Sequence, residues 1–311
     1  MLIDCDPGID DALALALAAG SALDLRGITT VGGNVGLDLT TANALALREF
    51  LDLGDVPVVP GCSGALVRGP MDAAHVHGAG GLGDAVLPPA VRAAADGHAV
   101  DFIISTLRDN PGEITLVATG PLTNIALAVR REPAIVDWVR DFVVMGGSYT
   151  RGNHNPAAEF NILTDPEAAA IAFNAGWTVT QVGLDVTLTA RVTTRVLDRM
   201  RDLGRLSSLI LPSVQYYAPV TAETGPALHD AVAVAHVIDP TLLTLTPAEV
   251  RVETAGHYTT GMTVTDFDSP TPNTRVATHL DVDRLAGRRS STSSSSAPAR
   301  ARRSSTPPTT S

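Results

Sequence analysis

Short runs of branched aliphatic residues alternate along the chain with longer segments rich in Ala and Leu. The short runs predict buried strands, and the longer segments have the length and composition of helices. Strands are predicted at residues 2–4, 23–31, 56–59, 114–118, 142–145 and 178–184, with late strands at 249–253, 262–265 and 274–279. Helices are predicted at residues 11–19, 39–53, 100–108, 121–130, 165–175, 195–203, 207–217 and 230–238.

This alternation predicts an α/β fold. Strands separated by helices of about 10–15 residues form βαβ units, so we expect one domain with a mostly parallel, Rossmann-like open sheet flanked by helices. The domain is expected to span residues 1–286. Ligands bind at the carboxyl ends of the strands in such sheets. The Gly- and His-containing stretch at 69–83 is expected to be a long functional loop near that edge.

The last residues differ in character from the rest of the chain. Residues 287–311 are rich in Arg, Ser, Thr and Pro and contain almost no apolar side chains. Such a segment cannot offset the entropy of ordering its backbone. We therefore expect residues 287–311 to be a disordered tail.

Composition excludes several classes of function. The net charge of −11 disfavours a nucleic-acid surface. No apolar run reaches the ~18 residues of a membrane span, and the start of the chain lacks the features of a secretory signal, so we expect a cytoplasmic protein. The sequence contains no lysine, which excludes a Schiff-base or Walker-A lysine.

Four carboxylates lie close together directly after the first predicted strand. Asp4, Asp6, Asp10 and Asp11 fall within eight residues, and a Pro-Gly turn separates the two pairs. A single Asp before a helix is most often a cap. Four carboxylates repel one another unless a positive charge lies among them, and no Arg is near in sequence. The cluster therefore predicts a hard divalent cation bound by oxygen ligands.

The run Asp-Cys-Asp-Pro-Gly-Ile-Asp-Asp-Ala at residues 4–12 resembles the signature of the inosine-uridine nucleoside hydrolase family. Further segments resemble the family in the same order, and together they cover residues 1–286: Gly33-Asn34, His75-Val76-His77-Gly78, Thr119-Gly120-Pro121-Leu122-Thr123-Asn124, Met145-Gly146-Gly147, Glu159-Phe160-Asn161, Asp165-Pro166-Glu167-Ala168 and His229-Asp230. The resemblance implies an enzyme that hydrolyses the N-glycosidic bond of a small-molecule ribonucleoside to ribose and free base. It also implies a homodimer or homotetramer, and it leaves the base preference open.

The resemblance also implies a role for each residue of the site. Ca²⁺ would be held by three carboxylates and a backbone carbonyl, those of Asp6, Asp11, Asp230 and Thr119. A calcium-bound water would lose its proton to Asp6, and His229 would assist departure of the base. The ribose hydroxyls would be held by Asp10, Asn34, Asn153, Glu159 and Asn161. Met145 and Phe160 would pack against the sugar, and His77 would lie near the base in a mobile loop.

Other interpretations of the same residues stay open at this point. Thr123 and Asn124 could cap a helix, and Met145 could be ordinary core. Cys5 is expected to be a small buried side chain. The remaining histidines outside the motifs are expected to have structural roles, namely His98, His236, His257 and His279.

Two rival functions also remain. The Asp4-x-Asp6 pair resembles the nucleophile motif of haloacid-dehalogenase-type phosphatases, although Gly8 stands where Thr or Val is usual and the downstream lysine is missing. A non-catalytic nucleoside- or ribose-binding relative is the second rival. It is motivated by the short segment between Tyr217 and His229 and by the lack of the amphipathic helix with which the family usually ends.

Overall fold

The computed structural model describes residues 1–217 and 225–287. Within these residues nine strands form one sheet in the order β3-β2-β1-β4-β5-β6-β9-β7-β8. The strands are β1 Leu2–Cys5, β2 Gly27–Thr30, β3 Val58–Pro60, β4 Thr115–Ala118, β5 Asp141–Met145, β6 Val179–Val182, β7 Leu243–Val252, β8 Thr263–Asp266 and β9 Thr274–Leu280. From β3 to β9 all neighbouring strands are parallel, and β7 pairs antiparallel with both β9 and β8. The predicted mostly parallel open sheet is confirmed.

Helices connect the strands and cover the sheet. They are α1 Ile9–Ala19, α2 Leu37–Phe50, α3 Ala74–His77, α4 Ala99–Asp109, α5 Thr123–Arg131, α6 Ile135–Trp138, α7 Phe160–Thr164, α8 Pro166–Phe173, α9 Leu184–Thr187, α10 Thr194–Arg201, α11 Ser207–Tyr217, α12 His229–Ile238 and α13 Val282–Leu285. In the part of the chain that the structure describes, none of the helices combines the length and the apolar character that crossing a membrane requires.

The core lies on both faces of the sheet because successive strand residues point to opposite sides. On β1, Ile3 and Cys5 pack into the cluster that contains α1 and α12, whereas Leu2 packs with α4 and α5 on the other face. All four residues of β1 are buried. Burial on both faces explains why the first strand is apolar apart from Asp4.

Several element boundaries differ from the sequence prediction. The second strand begins at Gly27 rather than at residue 23, and β7 begins at Leu243 rather than at residue 249. Residues 69–83 contain the short helix α3, and a one-turn helix, α13, follows β9. The predicted disordered tail lies, apart from Gly287, outside the described residues.

Asn124 and Thr123 do not cap α5, so that interpretation was wrong. The Asn124 amide donates to Asp4 Oδ1 at 2.8 Å and to the Thr30 carbonyl, and its Oδ1 accepts from the Cys62 N–H at 2.9 Å. Thr123 donates to Asp165 instead. Both side chains are buried, so they satisfy polar groups between the sheet and its loops rather than the free end of their own helix.

Two residues read as structural from the sequence have structural roles. Cys5 is completely buried in the core. His98 is the N-cap of α4, where its Nδ1 accepts a hydrogen bond from the Val100 N–H at 3.2 Å.

Candidate active site

The carboxyl ends of β1, β2, β4 and β5 open into one cavity of about 390 Å³. Because these strands are parallel neighbours, the residues that follow them meet at one edge of the sheet. The cavity wall contains all eight sequence-predicted substrate residues, the predicted leaving-group histidine and two of the predicted metal ligands: Asp10, Asn34, His77, Met145, Asn153, Glu159, Phe160, Asn161, His229, Thr119 and Asp230. Asp6 and Asp11 lie just beneath this wall and are fully buried.

Three carboxylates cluster where two helices begin. Asp10 and Asp11 occupy the first turn of α1, Asp230 occupies the first turn of α12, and ligand atoms of the three lie within 4.8 Å of one another. Burial raises the pKa of Asp10 and of Asp11 to about 6. Among the described residues no ion pair joins an arginine to any of the three. This oxygen donor set suits a hard divalent cation.

Asp6 is held in a narrow space beside this cluster. Its Oδ2 accepts the Asn34 N–H at 2.7 Å, and its buried Oδ1 has no hydrogen-bond partner among the described residues. A Cβ added at Gly33 would lie 2.1 Å from Oδ2, and one added at Gly120 would lie 2.7 Å from Oδ1. Burial, followed by the charge of Asp11, raises the pKa of Asp6. The close cluster of three contains Asp10 rather than Asp6, so a ligand role for Asp6 stays a prediction.

Hydrogen bonds fix the orientation of the acidic cluster. Asp11 accepts the Gly8 N–H at 3.0 Å, the Asn34 amide at 3.1 Å and the Thr119 hydroxyl at 2.8 Å. The Asn161 amide donates to the Thr119 carbonyl at 2.8 Å. Asp11 therefore acts partly as the helix cap that its position suggests, and it also joins α1 to β4.

The side chains of Glu159 and Asn153 accept hydrogen bonds from backbone N–H groups. The Glu159 carboxylate accepts the N–H groups of Gly147, Asn161 and Ile162 at 2.9–3.1 Å, and it thereby caps α7. Asn153 Oδ1 accepts the Phe160 N–H at 2.9 Å. Burial raises the pKa of Glu159 to about 7, against the three hydrogen bonds that lower it. Both side chains thus hold the segment that carries the predicted sugar-packing and ribose-binding residues.

Two histidines also line the cavity. His229 begins α12, and its Nδ1 lies 2.8 Å from the Thr187 hydroxyl. Burial lowers the pKa of His229 to about 4. His77 belongs to α3, where its Nδ1 accepts the Ile9 N–H at 3.1 Å and its ring stacks on Tyr217 with centroids 6.2 Å apart. The ring of His77 is thus hydrogen-bonded to the backbone of α1.

The structure adds residues to the cavity to which the sequence gave no role. Arg191, Leu188 and His75 all line it. His154, for which the sequence suggested no role, lines the cavity with its ring 6.0 Å from that of Phe160. Arg191 stands in no motif; it reaches the cavity because its backbone forms a bridge with Ala227, close to His229.

Asp4 faces away from the cavity. It is fully buried, and its Oδ1 accepts from Thr29 at 2.5 Å and from Asn124 at 2.8 Å. A nucleophile must reach its substrate, so this placement opposes the phosphatase alternative.

A parallel sheet whose strand ends carry a polar, carboxylate-lined cavity is the architecture of an α/β enzyme. Comparison with known proteins then identifies the family. The family described as "Inosine-uridine preferring nucleoside hydrolase" matches residues 1–287. The chain therefore belongs to that family, and it is an enzyme that hydrolyses ribonucleosides.

Similar proteins cover nearly the whole chain. The inosine-uridine preferring nucleoside hydrolase of Leishmania major is 47% identical over 92% of this chain and 94% of its own. The non-specific ribonucleoside hydrolase RihC of Escherichia coli is 42% identical over 91% of this chain and 94% of its own. The solved purine-preferring ribonucleoside hydrolase from Gardnerella vaginalis is 37% identical, with a TM-score of 0.86 over 92% of this chain and 95% of that one.

Proposed function

We propose that this enzyme cleaves the N-glycosidic bond of ribonucleosides with the help of bound Ca²⁺, with Asp6 as the base and His229 assisting the leaving group. The observation that carries the proposal is the cluster of Asp10, Asp11 and Asp230 at a cavity that His229 also lines. The carboxylates suit a cation and the sugar hydroxyls, and the histidine suits a leaving base.

The residues present fit a divalent cation. Asp6 Oδ1 and Asp10 Oδ1 are buried without hydrogen-bond partners among the described residues, a costly state for an ionised oxygen. We propose that Asp6, Asp11, Asp230 and the Thr119 carbonyl hold the ion. When bound, Ca²⁺ would supply positive charge that acidifies water and orients ribose hydroxyls.

Asp6 is suited to accept a proton from the attacking water. Asn34 and the two flanking glycines fix its carboxylate, so one oxygen is held while the other has no partner among the described residues. A carboxylate held in this way can take the proton of a water molecule beside it. The water oxygen then bonds to the anomeric carbon, while the bond to the base nitrogen breaks and its electron pair leaves with the base.

His229 is suited to assist that leaving base. Burial lowers the pKa of His229 to about 4, so the imidazole is neutral near pH 7. When the Thr187 hydroxyl donates to Nδ1, the ring N–H lies on Nε2, from which it can donate a hydrogen bond to the departing nitrogen and stabilise the charge that develops there. Thr187 is therefore a positioning residue for the tautomer of His229.

Hydrogen bonds to the backbone position the residues proposed to bind ribose. Asp10, Asn34 and Asn161 line the cavity. Glu159 and Asn153 line it as well, but their side chains accept hydrogen bonds from the segment around Phe160. We propose that the last two hold the ribose mainly by fixing this segment, and that Met145 and Phe160 pack against the sugar. Fixed geometry of this kind strengthens contacts as the ring approaches an oxocarbenium-like transition state.

Release of reducing sugar from inosine and uridine tests the proposal. The wild-type protein should release ribose, excess chelator should stop release, and Ca²⁺ should restore it. Asp6→Asn should lower kcat by about a thousandfold or more at an unchanged melting temperature, since it removes the base. Asp268→Asn, an exposed carboxylate beyond β8, should match the wild type. Near-normal activity in Asp6→Asn would refute the assignment of the base, and inosine binding without any release would favour the non-catalytic relative.

The assembly into a homodimer or homotetramer and the cytoplasmic location remain predictions. Sedimentation of the purified protein would measure the first.

A further inference from the structure

The side chain of Arg191 is pinned at the cavity wall by two backbone carbonyls. Nε donates to the Leu188 carbonyl at 2.7 Å, and Nη1 donates to the Gly225 carbonyl at 2.9 Å. Its backbone pairs with Ala227 as an isolated antiparallel bridge. Because the guanidinium is planar, two such bonds fix the direction of its remaining N–H groups.

One nitrogen of this guanidinium is left for a ligand. The structure gives Nη2 no hydrogen-bond partner, and it gives Arg191 no ion pair, among residues 1–217 and 225–287. Arg191, Tyr217 and His229 all line the cavity. After burial, the charge of Arg191 is the second cause that lowers the pKa of His229, in keeping with their proximity. An arginine is thus fixed beside the group that faces the leaving base.

The cavity therefore carries charges of both signs. Asp10 and Asp230 line it beside the buried Asp11, and Arg191 lines it close enough to His229 to affect its pKa. A ribonucleoside whose hydroxyls were bound by the carboxylates, with its base towards His229, would bring that base near Arg191. A guanidinium only donates hydrogen bonds, so its complement on the base is an acceptor such as a ring carbonyl oxygen. An exocyclic amino group at the same position would also be a hydrogen-bond donor, so two donors would face each other.

We propose that Arg191 determines base specificity by donating from Nη2 to a carbonyl oxygen of the base, so that oxo bases such as hypoxanthine are preferred over adenine. This inference rests on the proposed function, because it takes the ribose side and the base side of the cavity from it. It adds a residue that neither the sequence motifs nor the names of the relatives assign.

Inosine and adenosine form a suitable substrate pair, since they differ in a 6-oxo against a 6-amino group. The wild-type enzyme should have the higher kcat/KM for inosine. Arg191→Met removes every donor while keeping an unbranched side chain, and it should lower the inosine-to-adenosine ratio of kcat/KM by about tenfold or more. Arg195→Met, an exposed arginine on α10, is the matched control and should leave the ratio unchanged.

The outcomes separate specificity from folding. An equal loss on both substrates, or an unchanged ratio, would overturn the proposal. If Arg191→Met does not fold, as judged by its melting temperature, Arg191→Lys takes its place. A single ammonium group cannot hold both carbonyls and also reach the base, so the ratio should again fall, and an unchanged ratio overturns the proposal.

The failure of the proposed function would appear separately. In that case the wild-type protein releases no sugar from either nucleoside, and calorimetric binding of inosine and adenosine takes the place of kinetics. Stronger inosine binding that Arg191→Met abolishes would support the role of Arg191. Equal affinity of the wild type for the two nucleosides would overturn it.

Discussion

Gly33→Ala should damage catalysis by displacing Asp6 without changing any polar group. The new methyl carbon would lie 2.1 Å from Asp6 Oδ2 and 2.8 Å from Cδ of Pro121. Ordinary contact begins near 3.4 Å, so the carboxylate must move by about 1 Å or more. Asp6 is fully buried, and movement would break the 2.7 Å bond from the Asn34 N–H.

The magnitude follows from this displacement. A shift of about 1 Å in a catalytic group costs on the order of a hundredfold in rate. Overpacking of a buried site costs about 1–3 kcal/mol of unfolding free energy. We therefore expect kcat/KM for inosine to fall by roughly two orders of magnitude, with a moderately lower melting temperature. Sugar release and calorimetric unfolding measure the two effects.

A matched control separates crowding from the loss of glycine flexibility. At Gly64 an added Cβ meets nothing within 4 Å and φ is not positive, so Gly64→Ala should leave activity and stability close to wild type. If Gly33→Ala also retains near-normal kcat/KM, a fixed Asp6 carboxylate is not required for the reaction. The argument from the close glycine would then be refuted.

Two further predictions concern the base side and the acidic cluster. Thr187→Val removes the hydroxyl that lies 2.8 Å from His229 Nδ1, and it should lower kcat by about tenfold with little change in KM. Thr189→Val, at an exposed position, is the control and should have no effect. Equal kcat values in the two variants would contradict the tautomer argument. In excess chelator the melting temperature should fall as the pH rises from about 4 to about 7, because burial raises the pKa of Asp10 and of Asp11 from 3.8 to about 6, so unfolding releases protons over that range. Added Ca²⁺ should raise the melting temperature more at the higher pH, and a pH-independent melting temperature in chelator would show that these carboxylates are not destabilising.

Much of the parallel sheet could be predicted because its strands are buried on both faces. The aliphatic runs at β1, β4 and β5 need no knowledge of their partners to be recognised. The first half of β7 could not be found in this way, because Pro247 lies within it and proline disfavours a strand interior. In the structure Pro247 pairs with β9, and β8 joins β7 only from Glu249 onwards, so Pro247 lies where β7 has one neighbouring strand.

The residues of the candidate site also differ in whether the neighbouring sequence is enough to identify them. Asp6, Asp10 and Asp11 stand in one short run, so their spacing and the turn beside them already indicate a cation site. Arg191 offers no such pattern, since its place depends on carbonyls of Leu188 and Gly225 and on a bridge across 36 residues to Ala227. Long-range positioning of this kind leaves no periodicity in the sequence.

For Glu159 and Asn153, the sequence indicates where the side chain lies but not which groups it contacts. Their residue types suggest groups that hold sugar hydroxyls, and both line the cavity as expected. Which hydrogen bonds they make depends on the backbone around them. Glu159 faces the first N–H groups of α7, and these saturate the carboxylate. Residue type therefore indicated the location of these side chains correctly, while the backbone decides their partners.

The cost of burying so many carboxylates explains how the site is built. Asp10 and Asp11 lie in the first turn of α1, Asp230 lies in the first turn of α12 and Glu159 caps α7, so each carboxylate meets the positive end of a helix. This arrangement lowers the cost of their charge but leaves Asp6 Oδ1 and Asp10 Oδ1 without partners among the described residues. A cation bound to such oxygens would stabilise the folded chain. Folding and metal binding would thus be coupled through the residues proposed for the reaction.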